Sequence, residues 1–227
     1  MTRPVPCGSS DTIPRMARLD HPLSERFDRA LTLAHKVHRQ QARKGTQIPY
    51  IAHILGVAAI VLEYGGDEDQ AIGGLLHDVL EDAAEHAGEQ ITVEWLREEI
   101  RQSFGPKVME IVEHLTDATE RTKPSWRGRK TKYVADLEQA PPHALLVSAA
   151  DKLHNVQALQ RDYRRHGDEL WARFNPEAGK SGVIGYYSAL ADVFSRRMPG
   201  ALSEELGRAV TMLQEIAGER GAWPPTP

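Results

Sequence analysis

Apolar residues recur along this chain with the period of a helix. From Leu23 onward, Phe27, Leu31, Ala34 and Val37 fall on one face. Ile51, Ile54, Leu55, Ala58, Val61 and Leu62 repeat the arrangement until Tyr64-Gly65-Gly66-Asp67 interrupts it. Asp67 followed by Gln70 reads as a capping box. It opens a helix over 68–83 whose Ile72, Leu75, Leu76, Val79 and Leu80 face inward. The same period predicts helices over 92–103, 106–117, 127–139, 143–161, 183–198 and 202–218, with breaks at Gly105-Pro106 and Pro141-Pro142. No segment sustains a two-residue alternation, and neither an internal repeat nor a shift in composition divides the chain. The expected fold is all-α, a single-domain bundle of about eight to ten helices. Residues 1–20 mix Pro, Ser, Gly and Thr without periodicity and 220–227 are similar, so 21–219 is expected to fold between two loose ends.

Composition narrows the function classes. A chain of 227 residues, 41% apolar, is long enough for a real core. Its net charge of −4 gives no general pull toward nucleic acid or membrane surfaces. No run approaches the roughly 20 apolar residues needed to span a bilayer, and the N-terminal stretch lacks the apolar segment of a signal peptide. Cys7 is the single cysteine, so no internal disulfide forms. These features lead to the expectation of a soluble, cytoplasmic protein.

One stretch conflicts with its surroundings. In LLHDVLED, Leu75 to Asp82, a histidine and three carboxylates interrupt core-type residues, and buried carboxylates are costly unless something compensates them. On a continuous helix Asp78, Glu81 and Asp82 share a face with His77 beside them. A solvated acidic stripe is the ordinary fate of such a triplet, but here Leu75, Leu76, Val79 and Leu80 hem it in. A divalent cation would convert the repulsion into coordination. His53 in PYIAHILGV and Asp151 in LLVSAADKLHN intrude into apolar segments in the same way. Two His and two Asp make a mixed nitrogen and oxygen set suited to Mn²⁺, Fe²⁺, Co²⁺ or Zn²⁺, with positions left for water.

Four motifs occur in order: AHKVHRQQARKG, PYIAHI, LLHDVLED and AADKLHN. On these the chain resembles the HD-domain metal-dependent phosphohydrolases. More narrowly, it resembles the (p)ppGpp hydrolase domain of RelA/SpoT homologues and the stand-alone small alarmone hydrolases, over residues 25–198. The resemblance implies an HD-domain helical bundle in which His53, His77, Asp78 and Asp151 hold one divalent metal ion, Mn²⁺ before Fe²⁺, Co²⁺ or Zn²⁺. It implies Glu81 and Asp82 as the catalytic acidic pair, and Arg43, Lys44, Asn155 and Tyr186 as nucleotide contacts, with Tyr187 fitting nearly as well as Tyr186. The implied reaction is hydrolysis of the 3′-pyrophosphate of (p)ppGpp to GDP or GTP and pyrophosphate. A hydrolase of pApp or NADPH, and a nucleotide-sensing module without turnover, are the alternatives. Gln40 stands where the family has glycine and Ile54 where it has proline, and both are expected to touch loops that shape the nucleotide pocket. The chain ends before a synthetase domain could fit, so hydrolysis alone is expected. Oligomeric state is left open.

Other features are read as structural. Arg121, Lys123, Arg127, Arg129, Lys130 and Lys132 are expected to form a solvated helix start, the alternative being a clamp on the 5′-diphosphate. Lys152 could pair with a ligand carboxylate. AGKS, residues 178–181, lacks the upstream glycine of a phosphate loop. His38 suits a hydrogen-bonded core position, while His154 and the remaining histidines have no defined partner spacing. Trp95, Trp126 and Trp171 are expected to anchor packing.

Overall fold

The computed structural model describes residues 22–86, 91–117 and 125–224. Among these are ten α-helices: α1 Glu25–His38, α2 Ile51–Glu63, α3 Glu68–Leu76, α4 Val79–His86, α5 Val93–Phe104, α6 Pro106–Leu115, α7 Trp126–Leu137, α8 Pro142–His166, α9 Gly179–Arg197 and α10 Ala201–Ala217. A 3-10 helix, Gly167–Arg173, follows α8. The described residues contain no strand, only an isolated bridge between Ala42 and Pro49. The all-α expectation holds.

Local chemistry sets the boundaries. Ser24 accepts a hydrogen bond from the Arg26 N–H at the start of α1. Asp67 and Gln70 cap each other reciprocally at the start of α3, as the sequence predicts. Between α5 and α6, Gly105 adopts φ +89°, a conformation that costs an L side chain strain, and Pro106 opens α6 where a missing N–H is harmless. Pro142 opens α8 in the same way.

The helix expected over 68–83 is instead two helices with a break at His77-Asp78. The apolar face runs unbroken across the junction, which is why periodicity reads one element. The cause is a side chain: the His77 ring bonds through Nδ1 to the Gly74 carbonyl at 2.8 Å, occupying an acceptor that a continuing helix would use for its own backbone. The chain restarts at Asp78, whose carbonyl accepts the Asp82 N–H at 3.0 Å.

Two apolar clusters fill the interior. One joins Val147, Leu153 and Val156 of α8 to Ile184, Leu190 and Phe194 of α9 and to Leu206 and Leu213 of α10. The other joins Ala34 and Val37 of α1 to Ile72, Leu75 and Leu76 of α3, Val79 and Leu80 of α4, and Leu96 and Ile100 of α5. α2 belongs to both, contributing Val57 and Val61 to the first and Ile54 and Ala58 to the second. α3 and α6 likewise contribute to both, so the clusters meet along α2, α3 and α6, and His53 lies on α2.

Two packing expectations change. Trp126 and Trp171 are buried, but Trp95 is 41% exposed and its ring lies 5.6 Å from the Lys36 ammonium. Part of the stretch expected to be a loose end also lies against α9. The Ala222 N–H bonds to the Ser181 carbonyl at 3.2 Å, and Trp223 packs at 5.4 Å on Tyr186 and 6.4 Å on Trp126. A Cβ on Gly185 would come within 2.1 Å of the Ala222 carbonyl oxygen, so this approach requires glycine.

Candidate functional site

His53 enters from α2, His77 and Asp78 from the α3–α4 junction, and Asp151 from the middle of α8. One ligand atom from each of His53, His77 and Asp151 falls within 4.8 Å of the others, and all three residues are buried. His53 Nε2 stands 3.2 Å and His77 Nε2 3.7 Å from Asp151 Oδ1. Asp78 joins through Oδ2, 2.9 Å from His77 Nε2 and 3.7 Å from His53 Nε2. The four residues proposed as ligands from the sequence therefore converge from three distant segments.

Whether they suit a cation can be judged from the hydrogens. His77 uses Nδ1 on the Gly74 carbonyl, which can only accept, so that nitrogen carries the hydrogen and Nε2 presents a lone pair. Nε2 is buried and has no hydrogen-bond partner. A lone pair 2.9 Å from a carboxylate oxygen is repulsive unless a positive charge intervenes. Burial would lower the His77 pKa, but the charges of Asp78 and Asp151 lift it well above the usual histidine range. Burial would raise Asp78, and His77 and His53 hold it well below the usual carboxylate range instead. Burial likewise opposes ionisation of Asp151, but the Lys152 charge and both histidines depress it. Two neutral imidazole nitrogens and two carboxylates make a donor set that fits a divalent ion.

A second layer fixes these groups. The Tyr50 hydroxyl donates to Asp78 Oδ2 at 2.6 Å, and burial with the Asp78 charge pushes the Tyr50 pKa well up, so it stays a donor. Asn155 donates to Asp151 Oδ1 at 2.6 Å, and Lys152 donates to Oδ2. Burial would lower Lys152, but Asp151 raises it well above the ordinary lysine value. His53 meets His154, Nδ1 to Nδ1, at 2.9 Å. Burial, with the His53 ring and the Arg43 charge beside it, pushes His154 down to about 3.

Asp78 and Asp151 form part of the wall of a cavity of about 280 Å³ that Glu81 and Asp82 also line. Gln41 donates to Asp82 Oδ2 at 2.8 Å and accepts from His38 Nδ1 at 2.6 Å, which gives the buried His38 the hydrogen-bonded core position expected of it. Lys130 and Lys152 also line the cavity. The Lys130 ammonium lies 5.4 Å from the Tyr186 ring and 2.8 Å from Asp117, and that of Lys152 lies 4.6 Å from the Tyr133 ring. Burial would raise Asp117, but Lys130 and Arg129 hold it below its ordinary value. Tyr186 and Tyr187 both line the cavity, and the Tyr186 hydroxyl is buried without a partner.

Arg43 and Lys44 do not line this cavity. They line an adjoining one of about 110 Å³ with Arg173, and Asn155, Phe174 and Tyr187 belong to both. Arg43 donates to Asn155 Oδ1 at 2.8 Å, so Asn155 connects Arg43 to Asp151 as well as facing both cavities.

The basic stretch divides. Lys130 faces the main cavity rather than solvent, Arg129 pairs with Asp117, and Lys132 is exposed and pairs with Asp136. Arg121 and Lys123 lie outside the described residues. Gln40 and Ile54, expected to touch loops that shape the nucleotide pocket, do not themselves line it. Ile54 is buried in the second apolar cluster, Gln40 is exposed, and neither lines either cavity. Sequence reasoning missed Tyr50, Gln41 and His154 as supports. Tyr50 and His154 lie within the quoted motifs, three residues from His53 and Asp151, and that proximity was the available signal.

Comparison with known proteins agrees with this fold. The HD domain family model matches residues 30–184. A protein of Synechocystis sp., named a probable guanosine-3′,5′-bis(diphosphate) 3′-pyrophosphohydrolase, is 30% identical over 177 residues, 73% of this chain and 21% of that protein. The human guanosine-3′,5′-bis(diphosphate) 3′-pyrophosphohydrolase MESH1 is 36% identical over 138 residues, 58% of this chain and 68% of that protein. The chain thus spans about a fifth of the longer curated relative and about two thirds of the shorter. A metazoan ortholog of SpoT shares the fold with a TM-score of 0.65 at 24% identity, over 85% of this chain and 97% of that one. A protein of Listeria monocytogenes does so with a TM-score of 0.57 at 23% identity, over 73% of this chain and 99% of that one. Such a domain implies divalent-metal binding, and His53, His77 and Asp151 are its candidate ligands here. The chain belongs to the HD domain family.

Proposed function

We propose that this chain is a Mn²⁺-dependent 3′-pyrophosphohydrolase that converts (p)ppGpp to GDP or GTP and pyrophosphate. The observation that carries the reading is one cavity lined by an acidic pair, two lysines and the Asp78 and Asp151 carboxylates of the His/Asp cluster. The names of the Synechocystis and human relatives support the choice of substrate.

His53, His77, Asp78 and Asp151 hold the ion. When bound, it supplies Lewis-acid activation of water and of a phosphoryl oxygen. Lys130 and Lys152 neutralise phosphate charge, and the rings beside them keep their stems in place. Glu81 and Asp82 orient the attacking water, take its proton and return one to the departing 3′-oxygen. The Tyr186 hydroxyl, buried without a partner, donates to the substrate. Arg43, Lys44 and Asn155 hold the nucleotide where the two cavities adjoin. Because Gln40 and Ile54 line neither cavity, the two departures from the family pattern give no reason to favour an adenine nucleotide.

The test is to incubate Mn²⁺-reconstituted protein with ppGpp, pppGpp, pApp, NADPH and a dNTP and to separate the products by chromatography. Pyrophosphate released from ppGpp and abolished by EDTA is expected. Activity on pApp alone, orthophosphate released from NADPH, or tight ppGpp binding without products would each overturn the reading.

A further inference from the structure

His154 lies three residues beyond Asp151 on α8, with its ring against that of His53, centroids 4.9 Å apart. Their Nδ1 atoms are 2.9 Å apart, so one of the two carries the shared hydrogen. A third group decides which. The Arg43 guanidinium lies 3.4 Å from the same His154 Nδ1, and a guanidinium only donates. His154 Nδ1 must therefore be the lone-pair nitrogen, with its hydrogen on Nε2. His53 is then the donor through Nδ1–H, which leaves its Nε2 lone pair facing Asp151 and Asp78.

The backbone opposite leaves room for this ring. A Cβ on Gly56, one turn along α2 from His53, would lie 2.4 Å from both Cδ2 and Nε2 of His154. Only glycine lets the imidazole lie there. Gly74 serves His77 in parallel, its carbonyl taking the other Nδ1 hydrogen. Both imidazoles thus have their tautomer set by a fixed acceptor, a backbone carbonyl for one and a side chain for the other.

We propose that His154 is a positioning residue: by accepting from His53 Nδ1–H while held by Arg43, it fixes His53 in the tautomer and orientation that present Nε2 to the metal ion. This rests on the metal-site reading above and adds a residue to it. The position also ties the ligand shell to Arg43, a residue lining the adjoining cavity.

The test measures metal binding, not turnover. Apo-protein is titrated with Mn²⁺ by calorimetry for the wild type, His154→Leu and His154→Asn. Leucine fills space without an acceptor, whereas asparagine places its amide oxygen near the lost Nδ1. His154→Leu is expected to weaken Mn²⁺ binding about 10- to 100-fold, and His154→Asn to restore it to within about threefold of the wild type. Leucine binding as tightly as the wild type, or asparagine losing as much as leucine, would overturn the proposal. Should His154→Leu fail to fold, ¹⁵N imidazole shifts of the Zn²⁺-loaded wild type decide instead. A proton on His53 Nδ1 and on His154 Nε2 is expected, and a proton on His154 Nδ1 overturns the proposal. A wild type that binds neither Mn²⁺ nor Zn²⁺ would instead sink the metal-site reading itself.

Discussion

Replacing Glu81 with glutamine preserves its size and removes its capacity to take a proton. Because the proposed ligand set is His53, His77, Asp78 and Asp151, Glu81→Gln is expected to bind Mn²⁺ as the wild type does while kcat falls about 10²–10⁴-fold. Calorimetry and product release on the same preparation check both halves, and a variant that keeps turnover removes Glu81 from the reaction. Tyr50 calls for the opposite pattern. Its hydroxyl donates to Asp78 Oδ2 at 2.6 Å, so Tyr50→Phe takes nothing from the acidic pair but leaves a ligand carboxylate without its anchor. Mn²⁺ affinity is expected to fall about tenfold or more, and saturating metal should recover most of kcat. The two residues also show what can be read from a sequence at this scale. His53, His77, Asp78 and Asp151 are visible because a polar group in an apolar run is costly wherever the chain goes. Tyr50, Gln41 and His154 are not, because a tyrosine, a glutamine or a histidine beside a helix has ordinary uses, and their roles exist only in relation to atoms from other segments.

Helices were legible wherever the apolar period coincided with a start or stop signal. Asp67 with Gln70, Gly105 with Pro106 and Pro141 with Pro142 each mark a boundary of the fold. The α3–α4 break was not legible, because it arises from a side chain competing for a carbonyl while the apolar stripe continues past it. The orientation of α7 was equally hidden. Its basic residues look solvated in sequence, and only the Asp117 carboxylate with the Tyr133 and Tyr186 rings turns Lys130 toward the cavity. The start of α3 offers a direct test of element chemistry. Asp67→Ala removes the acceptor for the Gln70 N–H and is expected to cost about 1 kcal/mol of unfolding free energy in urea at pH 7. Asp67→Asn keeps a capping oxygen and loses only charge. Burial would raise the Asp67 carboxyl, but Lys107 and the backbone N–H groups hold it below its ordinary value. Its charge therefore stabilises the fold above the unfolded carboxylate pKa of about 3.9, and that contribution disappears as pH falls through the lower folded value. The stability gap between wild type and Asp67→Asn should close on acidification below about pH 4, and a gap that widens there contradicts the assignment.

On the scale of the molecule, the proposed ligand cluster would do more than hold an ion. Among the described residues no helix is long and apolar enough to cross a membrane, and two apolar clusters meet along α2, α3 and α6. At that seam α2 supplies His53, the α3–α4 junction supplies His77 and Asp78, and α8 supplies Asp151. A cation bound there connects the halves of the molecule, whereas the unfolded chain has no such site. Binding to the folded state alone stabilises it by RT ln(1 + [L]/Kd), about 2.7 kcal/mol at a hundredfold excess over Kd. For a chain of this size that corresponds to a rise in Tm of about 5–10 °C. Mn²⁺ added to EDTA-treated protein should produce this shift in a calorimetric scan, growing with the logarithm of free metal. His77→Ala loses a ligand and its hold on the Gly74 carbonyl, so its metal-free Tm falls and its response to Mn²⁺ should vanish. Glu81→Gln should respond like the wild type. A wild-type Tm indifferent to Mn²⁺, or a His77→Ala protein that still responds, would mean that the seam is held by packing alone and that these four residues are not where an ion binds.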